Sequence, residues 1–418
     1  MFIVLNKMLY LPNIKPTDME ILIRRHLNRM QNVSLDFVRN TMDKIDWNER
    51  LVMIKGQHGV GKTTLMTQRI AQVFGTTDTT NVLYVSLDNI YFSNHSLLEF
   101  IERFHSMGGT HLFLDEVHFY KNWNIEIKNA YDEFADMHFV VSGSSLCNLT
   151  DGEADLSRRC ITYFMPCLSF REYLRMFHNE DFQSVTLNDV LTDGNRICTA
   201  VNARMRPLPL FAEYLQYGCF PFQKEGRSNY YARIENIVNN TIDAELPKLR
   251  KFDVANSRKI KALLSILASS LPFKLDTVKL ATMVGISRNS LLQYLQYLAD
   301  ARLISLLYSD VNSVKRLQKP DKIYLDNPNL LYALCSTQVN EGTLREVFFV
   351  NQLSVNHTVE YSKTAADFTI DHQYTIEVGG HSKDGRQIAS VADSFIAASD
   401  EEYVLGNKIP LWLFGFFY

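Results

Sequence analysis

A glycine-rich segment between a predicted strand and a predicted helix constrains the fold of this chain more than any other feature. Residues 56–63 read GQHGVGKT and fit the pattern G-x-x-x-x-G-K-[ST]. The apolar run 51–54 before it is β-like, and residues 64–74 after it place apolar side chains at helical spacing. A strand, a glycine turn and a helix N-terminus direct backbone N–H groups and a positive dipole end at one point, which suits a triphosphate. The segment therefore predicts an α/β fold with a parallel-sheet core of the P-loop NTPase type.

The motif gives most of its residues a specific role. Lys62 is predicted to pair with the β- and γ-phosphates of ATP, and Thr63 to give a hydroxyl to Mg²⁺. The glycines allow the backbone to approach the phosphates closely. The alternative is a glycine turn without function. The predicted nucleotide-binding residues are Gly56, Gln57, His58, Gly59, Val60, Gly61, Lys62, Thr63 and Thr64.

Two carboxylates follow a later apolar run. Residues 111–116 read HLFLDE, so that a predicted strand delivers Asp115 and Glu116 at its end. Asp115 would hold Mg²⁺ through water, and Glu116 would polarise the attacking water as the catalytic base. An acidic pair that merely begins a loop is the alternative. The position downstream of a phosphate loop favours the catalytic interpretation.

Further polar residues follow the next predicted strand, 138–141. Ser142 and Ser144 come directly after this strand, and either is a candidate to sense the γ-phosphate. A Ser/Gly turn without function is the alternative. Arg158 and Arg159 come next, and one of them is a candidate arginine finger that neutralises charge on the transferred phosphoryl group. Paired arginines also occur as solvated or salt-bridged residues.

These motifs, in this order, resemble those of the bacterial and archaeal AAA-type ATPases that carry a C-terminal domain of unknown function. That family has a phosphate loop, a strand ending in Asp, and then "hhhhDE", "TGSS", "L-x-G-R", "LSF-x-EYL" and "G-x-P". The resemblance covers nearly the whole chain. In the segment that corresponds to "L-x-G-R", Arg158 stands in place of the glycine, and Arg159 is the matching arginine. The corresponding segments here are 56–63, Asp88, Asp115-Glu116, Ser142–Ser145, Leu156–Arg159, Leu168–Leu174 and Gly218–Pro221.

Composition is that of an ordinary globular protein with room for several domains. The 418 residues are 46% hydrophobic and 21% charged, which argues against a disordered chain. A net charge of −3 gives no overall basic field for nucleic acid, although a local basic face would still be compatible with it. The 6 cysteines are scattered without a C-x-x-C pair, which favours reduced thiols over disulfides or zinc.

The two ends of the chain are apolar but short. Residues 1–12 are interrupted by Lys7 and lack a small-residue cleavage site, so they do not resemble a signal peptide. No apolar stretch is long enough to span a bilayer, and we expect a cytoplasmic protein. The apolar segment 409–418 is predicted to be a buried terminal strand.

Residues 274–308 predict a winged helix-turn-helix. Residues 284–286 form a tight turn, and Ser287 is a natural N-cap for the following helix. This helix is predicted to place on one face Leu291, Leu292, Leu295 and Leu298. If the module reads DNA, the helix would present to the major groove the side chains of Arg288, Asn289 and Gln293. Few basic residues surround it, so a protein-binding or lid module is the alternative.

The family resemblance also implies a C-terminal domain similar to restriction endonucleases. Such sites hold a metal with acidic residues, which here correspond to Glu346, Asp367 and Glu377. The lysine expected two residues after the last of these is Gly379, and Lys383 is the nearest replacement. Losing that lysine removes the cation that would orient the water and stabilise phosphate charge. We therefore expect a domain that retains the fold without cleaving nucleic acid.

The sequence thus predicts five segments and a leading function. The function is an ATP-binding, Mg²⁺-dependent, ATP-hydrolysing switch. An ATP-responsive DNA-binding regulator is one alternative, and an ATP-gated nuclease is another. The segments are an N-terminal helical part (1–47), the ATPase core (48–170), a helical connector or lid (171–255), the winged helix-turn-helix (256–330) and the restriction-endonuclease-like domain (331–418).

Overall fold

The chain divides into two compact units. Unit 1 consists of Met1–Gly56 and Gly61–Met165, and unit 2 consists of Gln57–Val60 and Pro166–Tyr418. The predicted N-terminal segment is therefore grouped with the ATPase core, while the finer domain boundaries stay predictions. The computed structural model describes residues 18–147, 156–250, 252–253, 255–270, 273–274, 276–309, 319–335, 338–362, 366–380, 388 and 391–418.

Unit 1 alternates strands and helices. Its described helices are α1 (Asp18–Met30), α2 (Thr41–Lys44), α3 (Lys62–Phe74), α4 (Leu97–Ser106) and α5 (Trp123–Glu133). Its strands are β1 (Leu51–Gly56), β2 (Val82–Ser86), β3 (His111–Asp115), β4 (His138–Ser144) and β5 (Ile161–Phe164). Short 3₁₀ turns occupy Ile90–Ser93 and Val117–Phe119.

The strands of unit 1 form one parallel sheet in the order β2-β3-β4-β1-β5. Residues 51–54 of β1 are all 0% exposed, as expected for a central parallel strand that helices cover on both faces. Met19, Leu22 and Ile23 of α1 belong to the same apolar core. The structure confirms the predicted α/β core with a parallel sheet.

Unit 2 begins with a run of helices and ends in sheets. Its described α-helices are α6 (Phe170–His178), α7 (Leu187–Asn202), α8 (Pro207–Tyr217), α9 (Tyr230–Asn240), α10 (Leu246–Arg250), α11 (Ala255–Ser270), α12 (Thr277–Val284), α13 (Arg288–Asp300), α14 (Pro328–Leu334) and α15 (Glu341–Leu353). Its strands are β6 (Phe273–Lys274), β7 (Ile304–Leu307), β8 (Lys322–Leu325), β9 (Val359–Tyr361), β10 (Phe368–Ile370), β11 (Tyr374–Gly379), β12 (Ser394–Ala398) and β13 (Lys408–Pro410). Short 3₁₀ or π turns occupy Pro221–Glu225, Thr241–Glu245 and Leu411–Gly415.

The segment predicted to be a winged helix-turn-helix, 256–330, contains nearly all of α11, then α12 and α13, and a small sheet. Gly285 ends α12 in the left-handed conformation (φ 68°), and the Ser287 hydroxyl accepts the N–H of Ser290 at the start of α13. Strand β6 precedes α12, and β7 and β8 follow α13; the three strands form an antiparallel sheet in the order β6-β8-β7. Of the four leucines predicted to share one face of α13, Leu292 is half-buried and the other three are buried, and Tyr294 is buried with them. The buried positions of α13 are Leu291, Tyr294, Leu295 and Leu298.

The last sheet of unit 2 has the order β13-β12-β11-β10-β9. Strands β9, β10 and β11 are antiparallel, whereas β11, β12 and β13 are parallel. The prediction of a terminal strand over 409–418 is wrong for most of this range. Pro410, paired with Ala398, is the last ladder residue, and Leu411–Gly415 then turn into a 3₁₀ helix, although they are buried as expected.

The described helices are all short. The longest, α7 and α11, have 16 residues each. No helix in the described part of the chain combines the length and apolarity needed to cross a bilayer.

Candidate functional site

The phosphate-loop motif lies where the sequence predicts it. Strand β1 ends at Gly56, and α3 begins at Lys62. Gly61 precedes the helix with φ 103°, a backbone conformation that side-chain-bearing residues rarely adopt. Lys62 is buried, and its Nζ donates a hydrogen bond to the carbonyl oxygen of Gly56 at 2.9 Å. The ammonium group is thus folded back across the start of the loop.

The motif threonine and the first carboxylate are in direct contact. The Thr63 hydroxyl donates to Asp115 Oδ2 at 2.5 Å. Asp115 is the last residue of β3 and is 2% exposed. A hydroxyl beside a carboxylate is a set of hard oxygen donors, which fits Mg²⁺. Unit 1 therefore brings the two predicted metal-binding residues together.

Two further hydroxyls hold Asp115 in place. Ser142, in β4, donates a short hydrogen bond to Asp115 Oδ1. Tyr84, in β2, donates to Asp115 Oδ2 at 2.6 Å. Burial raises the pKa of Tyr84, and the charge of Asp115 raises it further, so this hydroxyl stays protonated and acts as a donor. The prediction that Ser142 senses the γ-phosphate remains untested, and the observed contact gives its hydroxyl a role in orienting Asp115.

Sequence reasoning missed Tyr84. A signal was available, because a tyrosine inside a continuously apolar strand needs a hydrogen-bond partner for its hydroxyl. The neighbouring strand, β3, supplies that partner. The identity of the carboxylate that accepts from Tyr84 depends on the strand order and register, and the sequence does not give these directly.

The second carboxylate has an unusual backbone. Glu116 has φ 52° and ψ 45°, the left-handed region that a glutamate seldom occupies. Its N–H donates to Asp115 Oδ1 at 3.1 Å and to the Ser142 hydroxyl at 3.2 Å. Its side chain is 19% exposed, and its Oε2 lies 3.4 Å from Nδ1 of the buried His118. Glu116 is therefore held at the strand end while its carboxylate remains partly accessible.

Arg159 lies away from these residues in unit 1. Its guanidinium forms a bidentate pair with Asp132, with distances of 2.8 and 2.9 Å. That hydrogen bonding is the main cause lowering the pKa of Asp132. Arg159 precedes β5, which is parallel to β1, whereas Lys62 follows the carboxyl end of β1. The structure therefore does not bring Arg159 together with Lys62, and its role as an arginine finger stays a prediction.

The middle of the phosphate loop, Gln57–Val60, is grouped with unit 2. Within that unit, Gln57 Nε2 donates to the carbonyl oxygen of Arg302 at 2.8 Å. His58 Nε2 lies 2.7 Å from Glu245 Oε1, whose side chain is almost fully buried. Thr64, in α3 of unit 1, is exposed.

The candidate DNA-reading side chains lie on the exposed side of α13. Arg288, Asn289 and Gln293 are all exposed. The Gln293 amide nitrogen donates to the Tyr297 hydroxyl at 2.6 Å. The face is therefore accessible, and its function stays a prediction.

The acidic residues of the predicted nuclease-like site lie just before one strand of unit 2, in the neighbouring strand and in a helix. Asp367 is the residue before β10, Glu377 lies in β11, and Phe368 of β10 pairs with Ile376 of β11. The N–H of Val378, next to Glu377, donates to Asp367 Oδ2 at 3.0 Å. Glu346, in α15, accepts from Lys322 Nζ at 2.9 Å and from the Tyr324 hydroxyl at 2.6 Å. Lys383 lies outside the described residues.

Lys322 was not among the predicted residues of that site. It comes from β8, far from Glu377 in sequence, and spacing rules that look for a lysine next to the acidic strand cannot find it. Its ammonium group also lies 5.8 Å from the centre of the Phe368 ring, the residue after Asp367. A lysine is thus present beside Glu346, but it reaches that carboxylate from a different strand.

Comparison with known proteins finds two family matches. An AAA-domain family model matches residues 48–174. A second family model, a domain of unknown function (DUF8612), matches residues 208–343. The first range contains the phosphate loop, both carboxylates and Ser142.

Two uncharacterised proteins of Methanocaldococcus jannaschii are similar to this chain. MJ1637 is 24% identical over 95% of this chain and 91% of its own length. MJ1544 is 24% identical over 71% of this chain and 65% of its own length.

Solved structures of lower similarity include two that cover part of the chain. One, from a study of the structural basis of katanin self-assembly, has a TM-score of 0.26 at 10% identity and covers 41% of this chain and 68% of its own. The other, Caenorhabditis elegans PCH-2, has a TM-score of 0.23 at 14% identity and covers 38% of this chain and 43% of its own.

Proposed function

Because the chain belongs to the AAA-type ATPases that carry a C-terminal domain of unknown function, we propose that it binds ATP with Mg²⁺ and hydrolyses it as a molecular switch. The observation that carries this proposal is the 2.5 Å contact between the Thr63 hydroxyl and Asp115. It joins the end of the phosphate loop to the strand that carries the acidic pair. Lys62 lies one residue away at the start of α3.

Each residue of the proposed site would have its own role. Lys62 leaves the Gly56 carbonyl and binds the β- and γ-phosphates, whose negative charge is a stronger partner for an ammonium group. Thr63 and Asp115 hold Mg²⁺, which when bound neutralises charge on the phosphate oxygens. Glu116 accepts a proton from the water that attacks the γ-phosphate. Ser142 and Tyr84 keep Asp115 oriented.

The test is nucleotide binding by the Lys62→Ala variant. We expect ATP affinity, measured by calorimetry with Mg²⁺, to fall by at least about tenfold, since a hydrogen bond to a charged group contributes ~1.5–3 kcal/mol. Lys121→Ala removes an exposed lysine of the same unit and should bind ATP normally. Circular dichroism would verify that both variants are folded. ATP affinity unchanged by Lys62→Ala would overturn the proposed function.

A second candidate function is an ATP-responsive DNA-binding regulator. The exposure of Arg288, Asn289 and Gln293 on α13 favours it. Measuring ATP hydrolysis and duplex binding in the same protein, with and without Arg288→Ala, separates the two. DNA binding that weakens in Arg288→Ala would support the regulator. Hydrolysis without any DNA binding would support the switch alone.

A further inference from the structure

We propose that His118 is a positioning residue for the Glu116 carboxylate, a role that rests on the proposed ATP hydrolysis. The pair consists of a buried imidazole and a partly accessible carboxylate two residues apart. Their facing atoms, His118 Nδ1 and Glu116 Oε2, are 3.4 Å apart. Both residues belong to unit 1.

The backbone between the two residues is bent so that they meet. The left-handed conformation at Glu116 turns the chain out of β3 into a 3₁₀ turn, Val117–Phe119. Two hydrogen bonds close it, from the N–H of Phe119 to the carbonyl of Glu116 and from the N–H of Tyr120 to the carbonyl of Val117, each at 3.0 Å. In an extended strand, residues two apart point the same way but are separated along the strand. The turn shortens this separation and directs the imidazole back to the carboxylate.

That backbone conformation has an energetic cost. A left-handed conformation is unfavourable at a residue with a side chain, and such residues concentrate at functional sites. Here the N–H of Glu116 is held by Asp115 and Ser142, so the conformation is fixed by the same groups that orient the metal-binding carboxylate. The strained turn thus joins three site residues to His118.

A positioning residue has to be more rigid than the residue that it orients, and the His118 side chain is more deeply buried than that of Glu116. The His118 side chain is 0% exposed, while that of Glu116 is 19% exposed. The imidazole also lies against the Phe119 ring, with a centroid distance of 4.5 Å. A buried ring cannot change its orientation without disturbing its neighbours, whereas a glutamate that reaches solvent has several rotamers available.

Restricting those rotamers matters for a catalytic base. Ordering a glutamate side chain removes rotamer entropy, which opposes the ordered state. A displacement of about 1 Å in a reacting group can cost on the order of 10²-fold in rate. By contacting one oxygen of the Glu116 carboxylate, His118 would order this side chain before ATP binds. The other carboxylate oxygen would then face the water.

The test compares two substitutions of His118. Asparagine places its amide nitrogen close to the position of Nδ1, whereas leucine fills the space without a polar atom. We expect His118→Leu to lower kcat by about 10- to 100-fold, with the ATP dissociation constant and KM unchanged. His118→Asn should restore most of kcat. Thermal unfolding of both variants shows whether either has lost its fold, and the asparagine variant keeps the test valid if leucine is not tolerated.

Combining His118→Leu with Glu116→Gln separates positioning from packing. If His118 acts through Glu116, the double variant should hydrolyse ATP no more slowly than Glu116→Gln alone, because residues that act as a unit are non-additive. An equal fold-loss in both backgrounds, or wild-type kcat in His118→Leu, would overturn the proposal. Absence of ATP hydrolysis by the wild-type protein is a different result and would overturn the proposed function itself.

Discussion

At the scale of single residues, four hydrogen-bond donors hold the Asp115 carboxylate in one orientation. Its carboxylate accepts hydrogen bonds from the hydroxyls of Thr63, Tyr84 and Ser142 and from the N–H of Glu116. Such preorganisation avoids rearrangement when charge develops during the reaction. Of these donors, Thr63 is the one that also belongs to the phosphate-loop motif.

Glu116→Gln should separate binding from hydrolysis. The amide keeps the size of the side chain but cannot accept the proton of the attacking water, so ATP should bind normally while kcat falls by about 10²-fold or more. Phosphate release and calorimetry measure the two quantities. Glu133→Gln, at an exposed position of unit 1, is the matched control. Equal hydrolysis by Glu116→Gln and the parent would mean that the base lies elsewhere.

At the scale of elements, the contact of α1 with β2 ties the N-terminal helix to the strand that carries Tyr84. His26 of α1 is 1% exposed, and its Nδ1 accepts the N–H of Tyr84 at 3.0 Å. Arg29 of the same helix lies over the Tyr84 ring, 4.8 Å from its centre. Burial lowers the pKa of His26 to about 4, from the ordinary 6.5, although nearby Asp78 opposes the shift.

This contact predicts a loss of stability in mild acid. Between pH 6.5 and pH 4 the unfolded chain binds a proton at His26 that the folded chain does not, so stability falls as the pH is lowered. The expected contribution of this group at pH 5, relative to pH 8, is about 2 kcal/mol. Urea unfolding of the parent and of His26→Asn, whose side-chain oxygen can still accept the N–H of Tyr84, measures it at both values. The same decrease in both proteins would show that His26 is not responsible.

At the scale of the whole molecule, the chain carries two sheets that present acidic residues in two different compact units. In unit 1 the acidic pair lies at the end of a parallel strand, where Asp115 contacts the phosphate-loop residue Thr63. In unit 2, Asp367 immediately precedes β10, Glu377 lies in the antiparallel neighbour β11, and Gly379 occupies the position expected for a lysine. Lys322 approaches Glu346 from another strand and is already paired with that carboxylate.

We therefore expect the protein not to cleave nucleic acid. A lysine engaged by Glu346 is poorly placed to orient water at the phosphate, and Gly379 offers no charge. Incubation with single- and double-stranded DNA and RNA, with Mg²⁺ or Mn²⁺ and with or without ATP, measures cleavage. Activity that disappears in Asp367→Ala would contradict the expectation. Lys322→Ala would then test whether this lysine had replaced the missing one.

The sequence alone determined the core architecture and the position of the phosphate loop. Glycines around a lysine, an apolar run before them and helical spacing after them are local signals, and each element that they predict is present within a few residues. The acidic pair at the end of β3 was predictable for the same reason, since a short apolar run shows where a strand ends. The roles predicted for these residues remain to be tested by the substitutions above.

Tertiary structure alone decided which side chains reach one another. Tyr84 meets Asp115 through strand pairing, and His118 meets Glu116 because one residue adopts a left-handed backbone. Arg159 is separated from Lys62 because β5 runs parallel to β1. Arg159 precedes β5 and Lys62 follows β1, so the two residues lie near opposite ends of the strands. Lys322 reaches Glu346 from a strand distant in sequence. Local patterns specify the period and ends of each element, whereas these contacts depend on strand order, register and backbone turns that local sequence patterns do not specify.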